Sequence, residues 1–443
     1  MDTPILDFVS AYIASDTARL HMPGHKGRSF LGCEALDITE IKGADALYEA
    51  DGIIAKSEEN AAAIFGTGRT LYSTEGSSQC IRAMLYLALT CRREGSDPVI
   101  VAARNVHKAF VYAAALLDFQ VVWLWPEENC SLCACPVTAN ALEATLKMLD
   151  KPPTAVYLTS PDYLGNTQDI SALAEVAHRY DTILLVDNAH GAYLRFLQPS
   201  LHPMDHGADL CCDSAHKTLP VLTGGAYLHV GRNAPAAFAE QAKGAMALFG
   251  STSPSYLTLL SLDKCNAYLT EGYSERLSAA CKKMSALRKE LKDHGWQVEE
   301  GDPLRITIVA PKGTSGTVLA QRLRESGVEC EFADPEYVVL MATPENDEED
   351  FQRLLNALGV NSAPAARKET LPMAKGESVC SIREAFFRPH ETIPAAAAQG
   401  RICAAPTVAC PPAIPIAVSG ERIGKEAIAL FHYYGVDTVD VIR

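Results

Sequence analysis

The sequence predicts an α/β fold whose main sheet is mostly parallel and covered by helices on both faces. Between residues 69 and 230, short apolar, β-rich runs alternate with amphipathic segments of helical period. The apolar runs, such as residues 182–186, do not alternate with polar residues, which is typical of strands buried on both faces. Polar clusters follow several of these runs, and in such sheets ligands bind beyond the carboxyl ends of the strands.

The predicted elements of this region are short. The strands are residues 69–72, 99–101, 121–125, 155–158, 182–186, 210–212 and 226–230, and the helices between them are residues 80–89, 109–117, 141–149 and 170–178. A further helix is predicted ahead of the sheet, at residues 57–65. We expect Ser57 to be its N-cap because Glu58 and Glu59 follow in the first turn.

The rest of the chain divides into smaller parts. A long helical region at residues 257–291, broken near Gly272, precedes a strand–helix–strand–helix pattern over residues 305–358. Residues 361–375 are rich in alanine, proline and charge and indicate a linker. The last part holds a Pro-rich turn at 410–415 and a helix at 424–434. The predicted domains are an N-terminal arm (1–30), a large domain (31–275), a small α/β domain (276–362), and a linker with a C-terminal α+β domain (363–443).

Composition excludes several classes of partner. The 39 basic and 54 acidic residues give a net charge of −15, which argues against a nucleic-acid or anionic-membrane partner. No apolar run is long enough to span a bilayer and no secretory signal opens the chain, so we predict a cytoplasmic protein. Cys130, Cys133 and Cys135 form the one tight cysteine cluster, but no second pair or histidine follows at ligand spacing. We therefore predict no metal.

Lys217 is the strongest candidate for a reactive group. It follows His216 directly, in a turn of small and hydroxylated residues behind the apolar run 210–212. Few carboxylates are near in sequence, so partial desolvation would favour the neutral, nucleophilic amine that Schiff-base chemistry needs. The alternative is a solvated lysine at the end of a strand.

Other polar groups follow the predicted strands. Ser77 and Ser78 stand at the head of a helix, where hydroxyls, backbone N–H groups and the helix dipole suit a phosphate; the alternative is a plain N-cap. Asp187 closes an apolar strand, where a carboxylate either caps a turn or meets a cationic ring nitrogen. His107 and His190 are either structural or able to contact a ring. A lysine, a phosphate site, an aspartate and a stacking histidine are what pyridoxal 5′-phosphate (PLP) needs.

Four motifs make the resemblance specific: MPGHKG at 22–27, DNAHG at 187–191, SAHK at 214–217 and STSPSY at 251–256. Together they resemble the bacterial ornithine/lysine/arginine decarboxylases, PLP enzymes that share the aspartate aminotransferase fold. The resemblance covers nearly the whole chain. It implies a seven-stranded-type sheet of PLP fold type I, an obligate homodimer with shared active sites, and the compact form of the family without an N-terminal wing domain.

The resemblance also implies roles for individual residues. Lys217 would form the Schiff base with PLP, Asp187 would bind the pyridine nitrogen, and His107 would stack on the ring. The remaining cofactor-binding residues would be Ser77, Ser78, Ser214 and His216 at the phosphate, Ala189 and His190 at the ring, and Thr252 or Ser253 at the phosphate of the neighbouring subunit.

The chain departs from the family pattern at a few positions. Gln79 stands where asparagine is frequent, Asn188 where glutamate is common, and Ala413 where the terminal turn usually has glycine. The terminal turn helps to form the substrate pocket in this family, so the identity of the substrate side chain stays open.

The predicted reaction is decarboxylation of arginine, lysine or ornithine to agmatine, cadaverine or putrescine. One alternative is an aminotransferase, or a lyase on another amino acid. Aminotransferases typically bind the α-carboxylate with an arginine of the small domain, and Arg305 and Arg383 are available. A second alternative is a catalytically silent binding protein, against which the intact Lys217 and Asp187 argue.

Overall fold

The main sheet has seven strands and is mostly parallel, which confirms the predicted fold class. The computed structural model describes residues 1–443 except 93, 95, 127–129, 362–370, 372 and 407–411. The strands of the main sheet are β1 (Arg69–Ser73), β2 (Asp97–Ala103), β3 (Gln120–Leu124), β4 (Pro153–Thr159), β5 (Ile183–Asp187), β6 (Leu210–Asp213) and β7 (Ala226–Val230). Their order is β1-β7-β6-β5-β4-β2-β3.

The direction of the strands decides which loops share an edge of the sheet. Strands β5 and β6 are parallel, whereas β7 is antiparallel to both β6 and β1. Two reversals cancel, so β1, β5 and β6 run the same way. The loops after these three strands therefore lie at one edge, where the ligands of such sheets bind.

The helices of the described residues follow largely the predicted periodicity. They are α1 (Pro4–Ala14), α2 (Ile53–Phe65), α3 (Ser77–Thr90), α4 (Lys108–Leu117), α5 (Ala139–Lys147), α6 (Ile170–Arg179), α7 (Ala215–Thr218), α8 (Ala236–Leu248), α9 (Tyr256–Thr270), α10 (Tyr273–Asp293), α11 (Gly316–Glu325), α12 (Glu348–Leu358), α13 (Ile382–Phe387) and α14 (Lys425–Tyr433). Across the part of the chain that is described, none of the helices is both long and apolar enough to cross a membrane.

The chain forms two compact units. The first comprises residues 1–97, 150–157 and 170–275, and the second comprises residues 98–149, 158–169 and 276–443. The domain boundaries expected from the sequence stay predictions. In the first unit, the buried carboxylate of Asp263 accepts hydrogen bonds from the first-turn N–H groups of Ile5 and Leu6, at 3.0 and 2.9 Å. The N-terminus of α1 is thereby fixed to α9.

The second unit contains the smaller sheets. Strands β8 (Val298–Glu299), β9 (Arg305–Val309), β10 (Phe332–Ala333) and β11 (Tyr337–Met341) form a sheet in the order β10-β11-β9-β8, while β12 (Glu377–Ser378) pairs with β14 (Glu421–Arg422) and β13 (His390–Pro394) with β15 (Thr438–Ile442). The two-residue strands were not predicted, because so short a run has no readable period. Most of the predicted linker, and the first two residues of the predicted Pro-rich turn, lie outside the described residues.

Arg104 fixes the Pro-rich turn within the second unit. Its buried guanidinium donates to the carbonyl oxygens of Pro415 and Ile416, at 2.8 and 3.0 Å, and pairs with Glu421 at 3.5 Å. A buried guanidinium needs such acceptors because an unpaired charge in the interior is costly. The turn is therefore held through its own carbonyl groups.

The predicted N-cap at Ser57 is wrong. Helix α2 begins at Ile53, and Ser57 is a buried residue of its second turn that donates to Asp263 at 2.5 Å. The helix starts earlier because the carboxylate of Asp45 accepts from the N–H groups of Gly52 and Ile54, at 2.9 and 3.0 Å. A cap supplied seven to nine residues upstream leaves no local signature.

We expect Asp45→Asn to lower the free energy of unfolding by about 0.5–2 kcal/mol, the usual contribution of a side chain that caps a helix N-terminus. Asparagine tolerates the positive φ of 71° at this position, so the variant removes the carboxylate without adding backbone strain. Urea titration monitored by fluorescence measures the change. The control is Asp51→Asn, an exposed residue of the same turn. Equal stabilities of the two variants would contradict the capping role.

Candidate active site

Lys217 lies beside an imidazole at the shared edge of the sheet. Helix α7 follows β6 directly, and the Lys217 amine Nζ is 2.7 Å from Nε2 of His190, in the loop after β5. One proton serves this hydrogen bond, so an ammonium can donate to a neutral imidazole or an imidazolium to a neutral amine. The sequence predicted both residues at the site but not their direct contact.

Asp187 is almost completely buried at the end of β5. Its carboxylate accepts from the Tyr157 hydroxyl and from the N–H of Ala189, both at 3.2 Å, and Cys212 Sγ is 3.6 Å away. Burial raises the pKa of Asp187, and the positive charge of Lys217 opposes this rise without cancelling it. A second cation next to this carboxylate would, like Lys217, lower the raised pKa of Asp187.

Two hydroxyls meet at the start of α3. Ser214 Oγ donates to Ser77 Oγ at 2.7 Å, and Ser77 is the first residue of a 14-residue helix. Gly76 precedes the helix with a φ of 74°, and a Cβ built there would meet no heavy atom within 4 Å. Open space beside hydroxyls and a helix N-terminus suits an anion such as a phosphate.

The turn before β7 reaches the same edge. The carbonyl oxygen of Gly225 accepts from the His216 backbone N–H at 3.1 Å and contacts His216 Nδ1 at 3.0 Å. Because a carbonyl oxygen only accepts, the imidazole carries a proton on Nδ1. Its Nε2 can then donate to a phosphate only when the ring is protonated.

Other predicted residues occupy different settings. His107 lies in the second unit, where its Nδ1 accepts from the N–H of Ala109 at 3.1 Å and so caps α4. The cap is the structural role that the sequence left open, and ring stacking by His107 stays a prediction. Thr252 and Ser253 are exposed in the segment between α8 and α9, and Ser78 and Ala189 are partly exposed.

Four polar groups behind the site were not among the predicted site residues. Tyr157 bonds Asp187, while Asp213 contacts both His202 and His229. Asp213 directly precedes the SAHK motif and was readable as a strand-end carboxylate. The two histidines come from a loop and from β7, and only the fold brings them together.

His202 and Asp213, together with the buried Cys211, have possible metal-ligand atoms within 4.8 Å of one another. However, Asp213 and His202 are joined by a direct hydrogen bond, and burial raises the pKa of the Cys211 thiol well above its usual value. Hydrogen bonding to Asp213 is the role that the structure shows for His202.

The predicted cysteine cluster also consists of buried or half-buried thiols. Cys130 Sγ donates to the carbonyl oxygen of Ala134 at 3.1 Å, and Cys135 Sγ contacts that of Leu124 at 3.5 Å. Burial raises the pKa of Cys130 to about 12 and that of Cys133 well above its usual value. Thiols of this kind behave as small apolar side chains.

The fold and the site define a class. The fold is PLP fold type I: a serine palmitoyltransferase solved with PLP aligns with a TM-score of 0.55 at 15% identity, over 72% of this chain and 80% of that chain. Within the class, residues 3–310 match the model of the Orn/Lys/Arg decarboxylase major domain, and residues 368–437 match that of its C-terminal domain. The protein belongs to the Orn/Lys/Arg decarboxylase family.

Relatives support the assignment along the whole chain. The arginine decarboxylase of Bacillus subtilis is 28% identical, over 97% of this chain and 92% of the relative. The constitutive lysine decarboxylase of E. coli has a TM-score of 0.79 at 19% identity, over 100% of this chain and 82% of that chain.

In the cofactor-free protein, we expect Asp187→Asn to raise the thermal-unfolding midpoint at pH 8. The raised pKa of the wild-type carboxyl means that folding stability is lost as the pH rises above the usual value of 3.8, and the amide removes this loss. The difference from wild type should shrink toward pH 4.

Calorimetry of both cofactor-free proteins between pH 4 and pH 8 measures the effect. Asp97→Asn is the control, since this carboxylate is half exposed in an ion pair with Lys151. A lower midpoint for Asp187→Asn than for wild type at pH 8 would contradict a destabilising buried charge.

Proposed function

We propose that the protein is a PLP-dependent decarboxylase that converts arginine, lysine or ornithine to agmatine, cadaverine or putrescine and CO2. Family membership supports the reaction class. The observation that carries the proposal is the contact of Lys217 with His190 at 2.7 Å, close to the buried carboxylate of Asp187. The named activities of the relatives, arginine and lysine decarboxylation, favour a basic substrate.

The chemistry of the site fits PLP. Lys217 offers an amine for the cofactor's aldehyde, and the raised pKa of Asp187 is the mark of a buried carboxylate that lacks a full countercharge. A protonated ring nitrogen would supply that charge. Ser77, Ser78, Ser214 and His216 would hold the phosphate, with Ala189 and His190 beside the ring. His107 is proposed to stack on it.

PLP supplies an electron sink for the electron pair left when the bond between the α-carbon and the carboxylate breaks. The residues of the chain do the rest. Asp187, when ionised, would keep a proton on the ring nitrogen, and Lys217 and His190 could exchange a proton across their hydrogen bond. After CO2 leaves, either can return that proton to the α-carbon.

The two arginines considered for an aminotransferase both donate to backbone carbonyl oxygens. Arg305 is buried, donates to the backbone carbonyl oxygens of Asp162 and Tyr163, and pairs with Asp302 at 3.3 Å. Arg383 donates to the carbonyl oxygens of Ala115 and Leu116. Both guanidinium groups thus have structural roles within their own unit, which favours decarboxylation over the aminotransferase alternative.

The purified protein, supplied with PLP, should release CO2 and the matching amine from at least one of arginine, lysine and ornithine. Lys217→Ala should lower the rate by about 10³-fold or more, since it removes the covalent attachment and a proton donor. The control is Lys264→Ala, an exposed lysine of α9. Release of a keto acid, or no CO2 from any of the three, would overturn the proposal.

We further propose a homodimer with shared active sites in the cytoplasm. The predicted arm and the residue after it expose large apolar side chains, with Leu20, Phe30 and Leu31 at least 81% exposed, as expected of a surface that a partner covers. Thr252 and Ser253 are exposed and would reach the partner's phosphate. No disulfide links any of the 13 cysteines in the described ranges, which favours a reducing compartment.

Co-expression tests the shared site. Lys217→Ala and the double variant Thr252→Asp/Ser253→Asp should each be inactive, the latter because carboxylates repel a phosphate. Mixed dimers regain one intact site in two, so random pairing should restore about a quarter of wild-type activity. As the control, Lys217→Ala is paired with a chain that carries all three substitutions and should give none. No recovery in the first mixture would contradict the sharing.

A further inference from the structure

A buried carboxylate lies directly behind the motif that carries Lys217. Asp213 ends β6, and its side chain is fully buried. One carboxylate oxygen, Oδ1, accepts from the Asn188 amide at 2.7 Å. The other, Oδ2, is 2.9 Å from Nε2 of His202 and 3.1 Å from Nε2 of His229.

The outer contacts of the two histidines indicate their protonation. The N–H of Met204 donates to Nδ1 of His202 at 3.3 Å, so the neutral ring carries its proton on Nε2 and donates it to Asp213. Nδ1 of His229 is 2.8 Å from the Thr70 hydroxyl, which can donate in the same way. Neither histidine therefore needs a second proton to bond Asp213.

Asp213 is ionised in this setting. Burial opposes its charge, but the positive charge that either ring carries when protonated, together with the hydrogen bonds from both histidines, holds the pKa of Asp213 below its usual range. The carboxylate accepts from these three nitrogen donors and, at 3.7 Å on Oδ1, from the Cys211 thiol, so it has no free side to turn toward. These contacts fix the position of the Asp213 carboxylate and of the backbone that follows it.

Asn188 passes this constraint to the neighbouring loop. Its backbone N–H donates to the carbonyl oxygen of Cys212 at 3.0 Å, in addition to the side-chain bond to Asp213. Asn188 stands between Asp187 and His190 in sequence, and Asp213 stands four residues before Lys217. The two loops that carry these groups are thus joined twice, once through backbone and once through Asp213.

We propose that Asp213 is a positioning residue: by binding Asn188 it sets the placement of Asp187 and His190 relative to Lys217. This inference rests on the proposed PLP function. Asp213 itself holds no cofactor atom. Its role is to keep Asp187, after β5, and Lys217, after β6, at a fixed distance from each other. His202 and His229 hold the Asp213 carboxylate in place.

Asp213→Asn and Asn188→Ala test the link separately. Asp213→Asn turns an amide donor toward at least one of the three existing donors, and Asn188→Ala removes only the bridge between the loops. We expect each variant to weaken PLP binding by about tenfold or more and to change the visible circular dichroism of bound PLP, which reports how the ring is held. The double variant should lose little more than Asp213→Asn alone, because both break the same link.

Thr70→Val is the matched control for a purely structural effect. It removes the outer bond of His229 at a distance from both loops, so it should lower the unfolding midpoint while PLP affinity stays within about twofold and the dichroism is unchanged. Asn188→Ala truncates a single buried amide and leaves Asp213 in place, so it keeps the test usable if Asp213→Asn does not fold.

The outcomes separate the two claims. A wild-type protein that binds no PLP refutes the proposed function. Wild-type binding with unchanged affinity and dichroism in Asn188→Ala, or fully additive losses in the double variant, refutes only the positioning role. Metal analysis adds one more check: a stoichiometric metal ion in the wild-type protein that is absent from Asp213→Asn would overturn the inference, because the carboxylate would then be a ligand.

Discussion

Two carboxylates end two adjacent parallel strands, and the cost of burying them organises the edge of the sheet. Asp187 and Asp213 are both buried and follow β5 and β6, yet the pKa of the first is raised and that of the second is lowered. The difference lies in the partners, since two imidazoles and an amide surround Asp213. Asp187 instead accepts from a phenol, one backbone N–H and a thiol, and therefore keeps an affinity for a cation.

This division explains how one edge supports both stability and chemistry. A fully bonded carboxylate is inert and fixes the backbone, whereas a partly bonded one is ready for a ligand. The amide of Asn188, between them in space and next to Asp187 in sequence, ties the reactive group to the inert one. Asp187, the carboxylate proposed to bind the cofactor, is thus held in place by Asp213 through Asn188.

Much of the fold and part of the candidate site could be predicted. Buried parallel strands have continuous apolar runs, so the seven strands of the main sheet were recognisable from local sequence. Lys217 and Asp187 stood out because a charge directly after such a run needs a reason. His190 could be placed near them through its motif, but the 2.7 Å contact with Lys217 depends on the pairing of β5 with β6.

What local sequence could not show depends on contacts far along the chain. Helix α2 starts early because Asp45 caps it from outside, and the Ser57 hydroxyl serves Asp263 instead. His202 and His229 converge on Asp213 from separate elements. No periodicity encodes such meetings, since each residue satisfies only a weak local pattern.

The reversed strand β7 has a consequence for the chemistry of the edge. Because β7 is antiparallel to β1 and β6, its first residues lie at the edge of the sheet where β1 and β6 end. Gly224 and Gly225 there present carbonyl oxygens to the backbone of Gly76 and of His216. A Cβ at Gly224 would lie 2.7 Å from the Thr74 oxygen, so no side chain fits. The loops on the phosphate side are consequently held by backbone hydrogen bonds. Because the acceptors are backbone carbonyl oxygens, no side-chain substitution can turn them into donors.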